Sequence, residues 1–219
     1  MTPALTPKNQ PAHRDSRETI LAVAGEIFAE QGYEAATIKD ITDRAGVNVA
    51  SVNYYFRDKL GLYTEVLRGS LHNGRLALAP DSAGLPAEER LSCYIHSFMR
   101  SLLAVGRPSW SGRLMIRELA QPTPALPQVI EEIIRPNFLL MRQLVADVAG
   151  APLEDETLDL LTHSVVAQCG HWKTSCPIFP FLWPELRFDE ETVNRIARHI
   201  AAFSIAGIRA AAAKEGGAP

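Results

Sequence analysis

Residues 37–59 read TIKDITDRAGVNVASVNYYFRDK, and this stretch decides the fold. Thr37, with Asp40 three places on, has the pattern of a helix N-cap, in which a side-chain oxygen accepts an orphan backbone N–H. Ile38, Ile41 and Ala45 recur at helical spacing and predict a short helix that buries one stripe. Gly46 falls where that helix must stop, and it tolerates the left-handed backbone of a tight turn. Val47 is apolar inside the turn, as a plug between two helices would be. Asn48 is a favoured N-cap for a second helix. On that second helix Val52 and Phe56 lie four apart and face inward, which leaves Ala50, Ser51, Asn53 and Tyr54 facing out. Two short helices joined across a glycine turn, with a small and polar outer face, form a helix-turn-helix.

The outer face has the chemistry to meet a DNA duplex. Ala50 and Ser51 are small enough to let the helix sit deep in the major groove, and the Asn53 amide can pair with an adenine edge. Tyr54 and Tyr55 end in hydroxyls suited to phosphate oxygens. Lys59 opens the next helix, where backbone N–H groups also attract phosphate. Phe56 is expected to pack, and Tyr55 to pack while its hydroxyl reaches out. The expected DNA-contacting set is Thr37, Lys39, Asn48, Val49, Ala50, Ser51, Asn53, Tyr54, Tyr55 and Lys59.

Composition narrows the remaining classes. The chain has 219 residues, 47% of them hydrophobic, enough for one large domain or a small and a larger one. No apolar run in the sequence approaches a membrane span, and the opening MTPALTPKNQ lacks the apolar core of a secretion signal. Three cysteines, Cys93, Cys169 and Cys176, are an odd number without paired-ligand spacing. They predict reduced thiols in a cytoplasm. Cys169, His171 and Cys176 lie close in sequence, but no second cluster completes a tetrahedral set, so neither a metal nor a cofactor is expected. The net charge is −3, and through residue 60 seven Lys and Arg face eight Asp and Glu. DNA binding therefore has to rest on placed charges and helix N-termini instead of a broad positive field. One copy would bind weakly, which predicts a dimer on a two-fold site.

Residues 1–13 carry three prolines and no periodicity, and are expected to form a flexible arm in which Lys8, with Arg14 just beyond it, would be placed to touch DNA. From about Asp15 to Gly32, Ile20, Val23, Ala24, Ile27 and Phe28 form a helical stripe that Gly32 ends. With these residues in place, the stretch from Arg17 through Tyr63 resembles the DNA-binding domain of the tetracycline-repressor (TetR) family. The resemblance is carried by Phe28, Gly32-Tyr33, Thr37, Gly46-Val47, Tyr55-Phe56, Lys59 and Leu62, in residue type and in spacing. Asn53 departs from it, because many members carry an aromatic residue there. Further on, RELAQPTPAL (Arg117 to Leu126), SVVAQC (Ser164 to Cys169) and PFLWP (Pro180 to Pro184) resemble the CecR-like branch of that family.

Every later periodic stretch also reads as helix, so the predicted fold is all-α, a three-helix DNA-binding head followed by a larger helical body. A fourth helix is expected from Lys59 to about Arg75, with turn-rich APDSAGLP after it. The head is assigned to 14–74 and the body to 75–219. Body helices are predicted from Ala87 to about Val105, Trp110 to Ala120, Val129 to Gly150, Glu156 to about Trp172, and from Asp189 to about Ala213. Pro136 should kink or split the third of these after Ile134. In the last helix Ala197, Ala201, Ala202, Ser204, Ala206 and Gly207 are small, which suits close helix approach. The family resemblance implies a homodimer through the last two long helices.

The same resemblance implies a small-molecule effector enclosed in the body, whose binding spreads the two heads and releases the operator. The expected lining is Phe98, Met99, Trp110, Arg113, Arg117, Glu118, Leu140, His163, Gln168 and Trp172, with Arg117 and Glu118 on different sides of their helix. Catalysis is not expected: the sequence has no phosphate-binding glycine loop, nucleophile elbow or metal-ligand cluster. The predicted protein is a cytoplasmic, ligand-responsive repressor that binds a palindromic DNA operator. The competing class is an all-helical adaptor whose head docks on another protein.

Overall fold

The computed structural model describes residues 11–71, 84–103 and 110–216. Helices form both halves of the molecule, and no strand occurs among the described residues. In the first half α1 spans Pro11–Ala35, α2 Ile38–Ala45, α3 Val49–Phe56 and α4 Lys59–Leu71. Of the expected arm, residues 1–10 lie outside the described residues, and Pro11 to His13 instead begin α1. Gly32 interrupts α1 with φ 85° and ψ 172°, a backbone that only glycine adopts without strain. The end of α4, the boundary near residue 74 and most of the turn-rich break fall outside the described residues.

The second half contains α5 (Ala87–Leu102), α6 (Trp110–Ala120), the single turn α7 (Leu126–Val129), α8 (Arg135–Ala149), α9 (Asp155–Thr174), the single turn α10 (Phe179–Leu182) and α11 (Glu190–Gly216). Between α7 and α8 the chain widens into a π-helical turn over Ile130–Ile134, where the Arg135 N–H reaches back to the Ile130 carbonyl. Pro136 follows it after one residue, Arg135. It can neither donate to a carbonyl four residues back nor pack its ring against it, and the π turn absorbs the mismatch. Asp189 caps α11 by accepting the Thr192 N–H at 2.8 Å, which holds its carboxyl below the usual range. By length and composition α11 could cross a bilayer, which the apolar runs of the sequence do not suggest. Its inward side packs on α5, α8 and α9, where Val193, Ile196, Ala197, Ile200, Ala201 and Ile208 are buried in the body core.

Two cores result, and their membership corrects one expectation. The body core joins Leu91, Tyr94, Ile95 and Met99 of α5 to Met141, Leu144 and Val145 of α8, Val165 and Cys169 of α9, and α11. The head core contains Ile20, Ala24, Ile27, Phe28, Ile41, Val52, Phe56, Leu62 and Tyr63, but also Leu114 of α6 and Ala125 and Val129. Helix α6 therefore docks on the head. The Trp110 ring fills the place where a side chain at Gly25 would stand, and Arg117 donates to the Glu30 and Gln31 carbonyls just before the Gly32 break in α1.

Glu118 closes this seam. It has no exposed surface; its carboxyl accepts from the Tyr63 hydroxyl (2.7 Å), the Thr123 N–H (2.9 Å) and the Thr123 hydroxyl (3.0 Å). Burial and this bond push the Tyr63 phenol well above its ordinary pKa, so it remains a donor. Replacing Tyr63 by Phe leaves one buried carboxyl oxygen without its donor. The expected cost is about 1–3 kcal/mol of unfolding free energy, measurable by denaturant titration.

Candidate nucleic-acid interface

The head presents its shortest helices outward, and local hydrogen bonds fix their ends. Thr37 Oγ1 accepts the Asp40 N–H at 3.1 Å while its hydroxyl donates to the Asp40 carboxylate at 2.6 Å. Gly46 takes the left-handed conformation (φ 67°, ψ 31°), and the Val47 N–H returns to the Thr42 carbonyl. This ends α2 and leaves Val47 half-buried against the head core, as a plug in the turn. Asn48 Oδ1 accepts the Ala50 N–H at 2.9 Å and starts α3. Val52 and Phe56 then point inward and are buried.

The other face of α3 is open. Val49, Ala50 and Asn53 are exposed, Ser51 is half-buried, and Tyr54 is 76% exposed with its ring edge-on to Tyr55. Thr37, Asn48 and Lys39 sit at the edges of the same surface. Thr37 and Asn48 serve as caps, and the Lys39 ammonium is paired with Asp43 at 2.7 Å. Lys59 is more tied down than its place in the sequence suggests. Its ammonium donates to the Glu34 carbonyl at 3.1 Å and lies 4.6 Å from the Tyr33 ring centre, which braces the start of α4 against the end of α1.

The connection from α3 to α4 is tighter than any motif in the sequence suggests. The Asp58 N–H donates to the Phe56 carbonyl at 2.9 Å. Arg57, between them, has φ 72° and ψ −54°. This is a γ-turn of the strained hand. Asp58 Oδ1 then accepts the Gly61 N–H at 2.7 Å and caps α4. A Cβ at Gly61 would overlap the Phe56 carbonyl oxygen, so only glycine lets the turn close. Behind the turn an open cleft of about 570 Å³ is lined by Arg17, Tyr55, Arg57, Asp58, Glu65 and Arg68, among others.

The ten residues expected around an effector are not gathered in one place. Trp110, Arg117 and Glu118 face the head, because the apolar side of α6 covers α1 and α4, and Arg113 is exposed on α6. Met99 is fully buried in the body core, with Phe98 and Leu140 packed against it. His163 is exposed beside Phe138, Gln168 bonds the Ser204 hydroxyl at 3.2 Å, and Trp172 stacks on Phe179. Among the described residues no group of His, Cys, Asp and Glu is placed to hold a metal. Burial pushes the Cys169 thiol up to about 12.

Two family descriptions match the chain. "Bacterial regulatory proteins, tetR family" covers residues 20–66, and "HTH-type transcriptional dual regulator CecR, C-terminal domain" covers residues 87–208, more than half of the sequence. The chain belongs to the TetR family of transcriptional regulators. It is a regulator and not an enzyme, with a CecR-type body. It is 27% identical to the transcriptional dual regulator CecR of Shigella flexneri over 89% of this chain and 90% of that one. To the transcriptional repressor KstR2 of Mycolicibacterium smegmatis it is 36% identical, but over only 41% of this chain and 44% of that protein's length. Among solved structures, SCO4454, a TetR-family regulator from Streptomyces coelicolor, shares the fold with a TM-score of 0.64 at 18% identity, over 90% of this chain and 97% of that one.

In this TetR-type head the closed turn at 56–61 sets the angle between α3 and α4. Gly61→Ala should therefore destabilise the protein by about 1–3 kcal/mol. Gly69→Ala on the same helix, where a Cβ meets nothing, should stabilise it by up to about 1 kcal/mol. Thermal melts of the two variants should shift in opposite directions.

Proposed function

We propose that this TetR-family regulator is a ligand-responsive repressor that binds a palindromic operator as a homodimer and is released by a small molecule held in the helical body. The observation that carries this reading is the outward face of α3, a helix anchored by Val52 and Phe56 and capped by Asn48, with Asn53 and Tyr54 exposed. Asn53 would read an adenine edge, with Ala50 and Ser51 letting the helix approach the bases. Thr37, Lys39, Asn48, Val49, Tyr54, Tyr55 and Lys59 would surround it along the phosphates. The reading keeps the head at about 14–74 and the effector and dimerisation unit at 75–219.

The dimer rests on α9 and α11. Their outward sides leave Leu160 62% exposed and Phe203 65% exposed, between the exposed small residues Ala167, Ala202, Ala206, Gly207 and Ala210. Apolar and small side chains at such spacing suit close packing of two helix pairs across a two-fold axis. Twin heads would then meet half-sites about 34 Å apart along the duplex. In the body, Phe98, Leu140, Gln168 and Trp172 remain the proposed effector contacts. Free thiols at Cys93, Cys169 and Cys176 fit a reducing cytoplasm.

Binding to a palindromic duplex selected from genomic fragments tests the reading. Asn53→Ala should relax base preference and cost about 1–3 kcal/mol, whereas Lys59→Ala should weaken all sequences about equally. Unchanged retention by both variants would remove the operator reading. Sedimentation should give a mass near twice the 24.0 kDa of one chain, and Phe203→Glu should yield monomers that bind the duplex far less tightly.

A further inference from the structure

Among the described residues the head has few cations, and nearly all of them already have an internal partner. Its described side chains include six: Arg17, Lys39, Arg44, Arg57, Lys59 and Arg68. Arg17 pairs with Glu65 at 2.6 Å, Lys39 with Asp43 at 2.7 Å, and Arg44 with Glu26 at 2.5 Å and Glu30 at 3.8 Å. Arg68 is shared between Glu65 and Glu132. Lys59 is held by the Glu34 carbonyl and the Tyr33 ring. Among the described residues of the head, Arg57 alone has a side chain with no such partner, and it is exposed.

Its surroundings keep it so. The two carboxylates that share its cleft are engaged, Glu65 by Arg17 and Arg68, and Asp58 by the N–H of Gly61. The Arg57 N–H is bonded to the Asn53 carbonyl at 3.1 Å, so the residue comes directly after the last turn of α3. In the chain it follows the exposed Ala50, Asn53 and Tyr54, and like them it is exposed. It also carries the one positive φ of any non-glycine residue among those described. A strained, unpaired arginine at the end of a recognition helix costs stability and gives the isolated chain nothing back.

We propose that Arg57, exposed at the strained γ-turn between α3 and α4, contacts an operator phosphate and, among the described head cations, is the one that need leave no internal partner to do so. This rests on the operator reading above. A guanidinium suits the role, because its planar fork of donors matches two phosphate oxygens. A phosphate contact has no base preference, so Arg57 sets affinity and register, and Asn53 sets sequence.

Charge and strain can be separated by three variants of the full chain, measured on the selected operator duplex and on a scrambled duplex of equal length over a series of salt concentrations. Arg57→Gly removes both the charge and the strain; it should raise the melting temperature by about 2–4 °C and weaken binding to both duplexes, by roughly ten-fold per half-site. The slope of log affinity against log salt should become shallower by about two per dimer. Arg57→Ala should weaken binding equally without the gain in melting temperature, and Arg57→Lys should keep most of the affinity and the slope. A purely structural residue would instead move stability and affinity in the same direction. If the parent retains the selected duplex and Arg57→Gly binds it with the parent's affinity and salt slope, the assignment of Arg57 falls while the operator reading stands. If the parent retains neither duplex, both fall.

Discussion

The carboxyl group of Glu118 constrains the rest of the structure. A carboxyl with no exposed surface costs several kcal/mol unless its oxygens are hydrogen-bonded. Here one donor comes from α4 and two from Thr123, in the turn before α7. The bond is worth making only where α4 and α6 stand in this relation, and so it fixes their relation. Tyr63 is in turn held edge-on against Phe28 at 4.8 Å and at a tilt against Tyr33 at 4.9 Å, which carries the constraint into α1. Removing the seam would uncover the head core on the side that Leu114, Ala125 and Val129 complete.

Electrostatics impose the second constraint. With a net charge of −3 and most of its described head cations held internally, the protein lacks a broad positive field with which to hold DNA. The internal pairs are mostly half-exposed and contribute little stability each. Their larger effect is to hold α1, α2 and α4 in register: Arg44 ties α2 to Glu26 of α1, and Arg17 ties α1 to Glu65 of α4. Under the proposed operator reading, affinity would come from geometry: caps that aim α3, a turn that holds Arg57, and a second subunit that would double each contact.

What the sequence discloses of this fold is what local chemistry decides. Thr37, Gly46 and Asn48 act within four residues of themselves, so their residue types alone place α2 and α3, and the helices do begin and end there. Pro136 likewise announces the split of its helix, although not the π turn that absorbs it. What α6 touches is not legible in this way. Trp110, Leu114 and Glu118 make one face of a helix whether that face meets an effector, the body core or the head, and periodicity cannot choose among them. The γ-turn at Arg57 is equally hidden, because its cause is the missing side chain of Gly61, four residues further on. Lys59 reads as a phosphate ligand from its position, whereas its bracing of α4 is hidden in the sequence, since the end of α1 comes close only in the folded chain.

The position of α6 also bears on how a body could govern its heads. On one side it is fastened to the head at three points: Trp110 against Gly25, Arg117 on the Glu30 and Gln31 carbonyls of α1, and Glu118 on Tyr63. On the other side the Lys173 ammonium, at the end of α9, lies where a side chain at Gly112 would stand. Helix α9 belongs to the body core and also presents the exposed Leu160. A close-packed interior does not absorb a displacement gradually, so a shift of α9 or α6 has to be passed to the neighbour or break one of these contacts. The contacts to the head are the more numerous and include the buried carboxyl, so the head should move with α6 instead of detaching from it. In the proposed dimer, a small molecule that prefers a displaced α6 would shift the equilibrium toward heads moved with it.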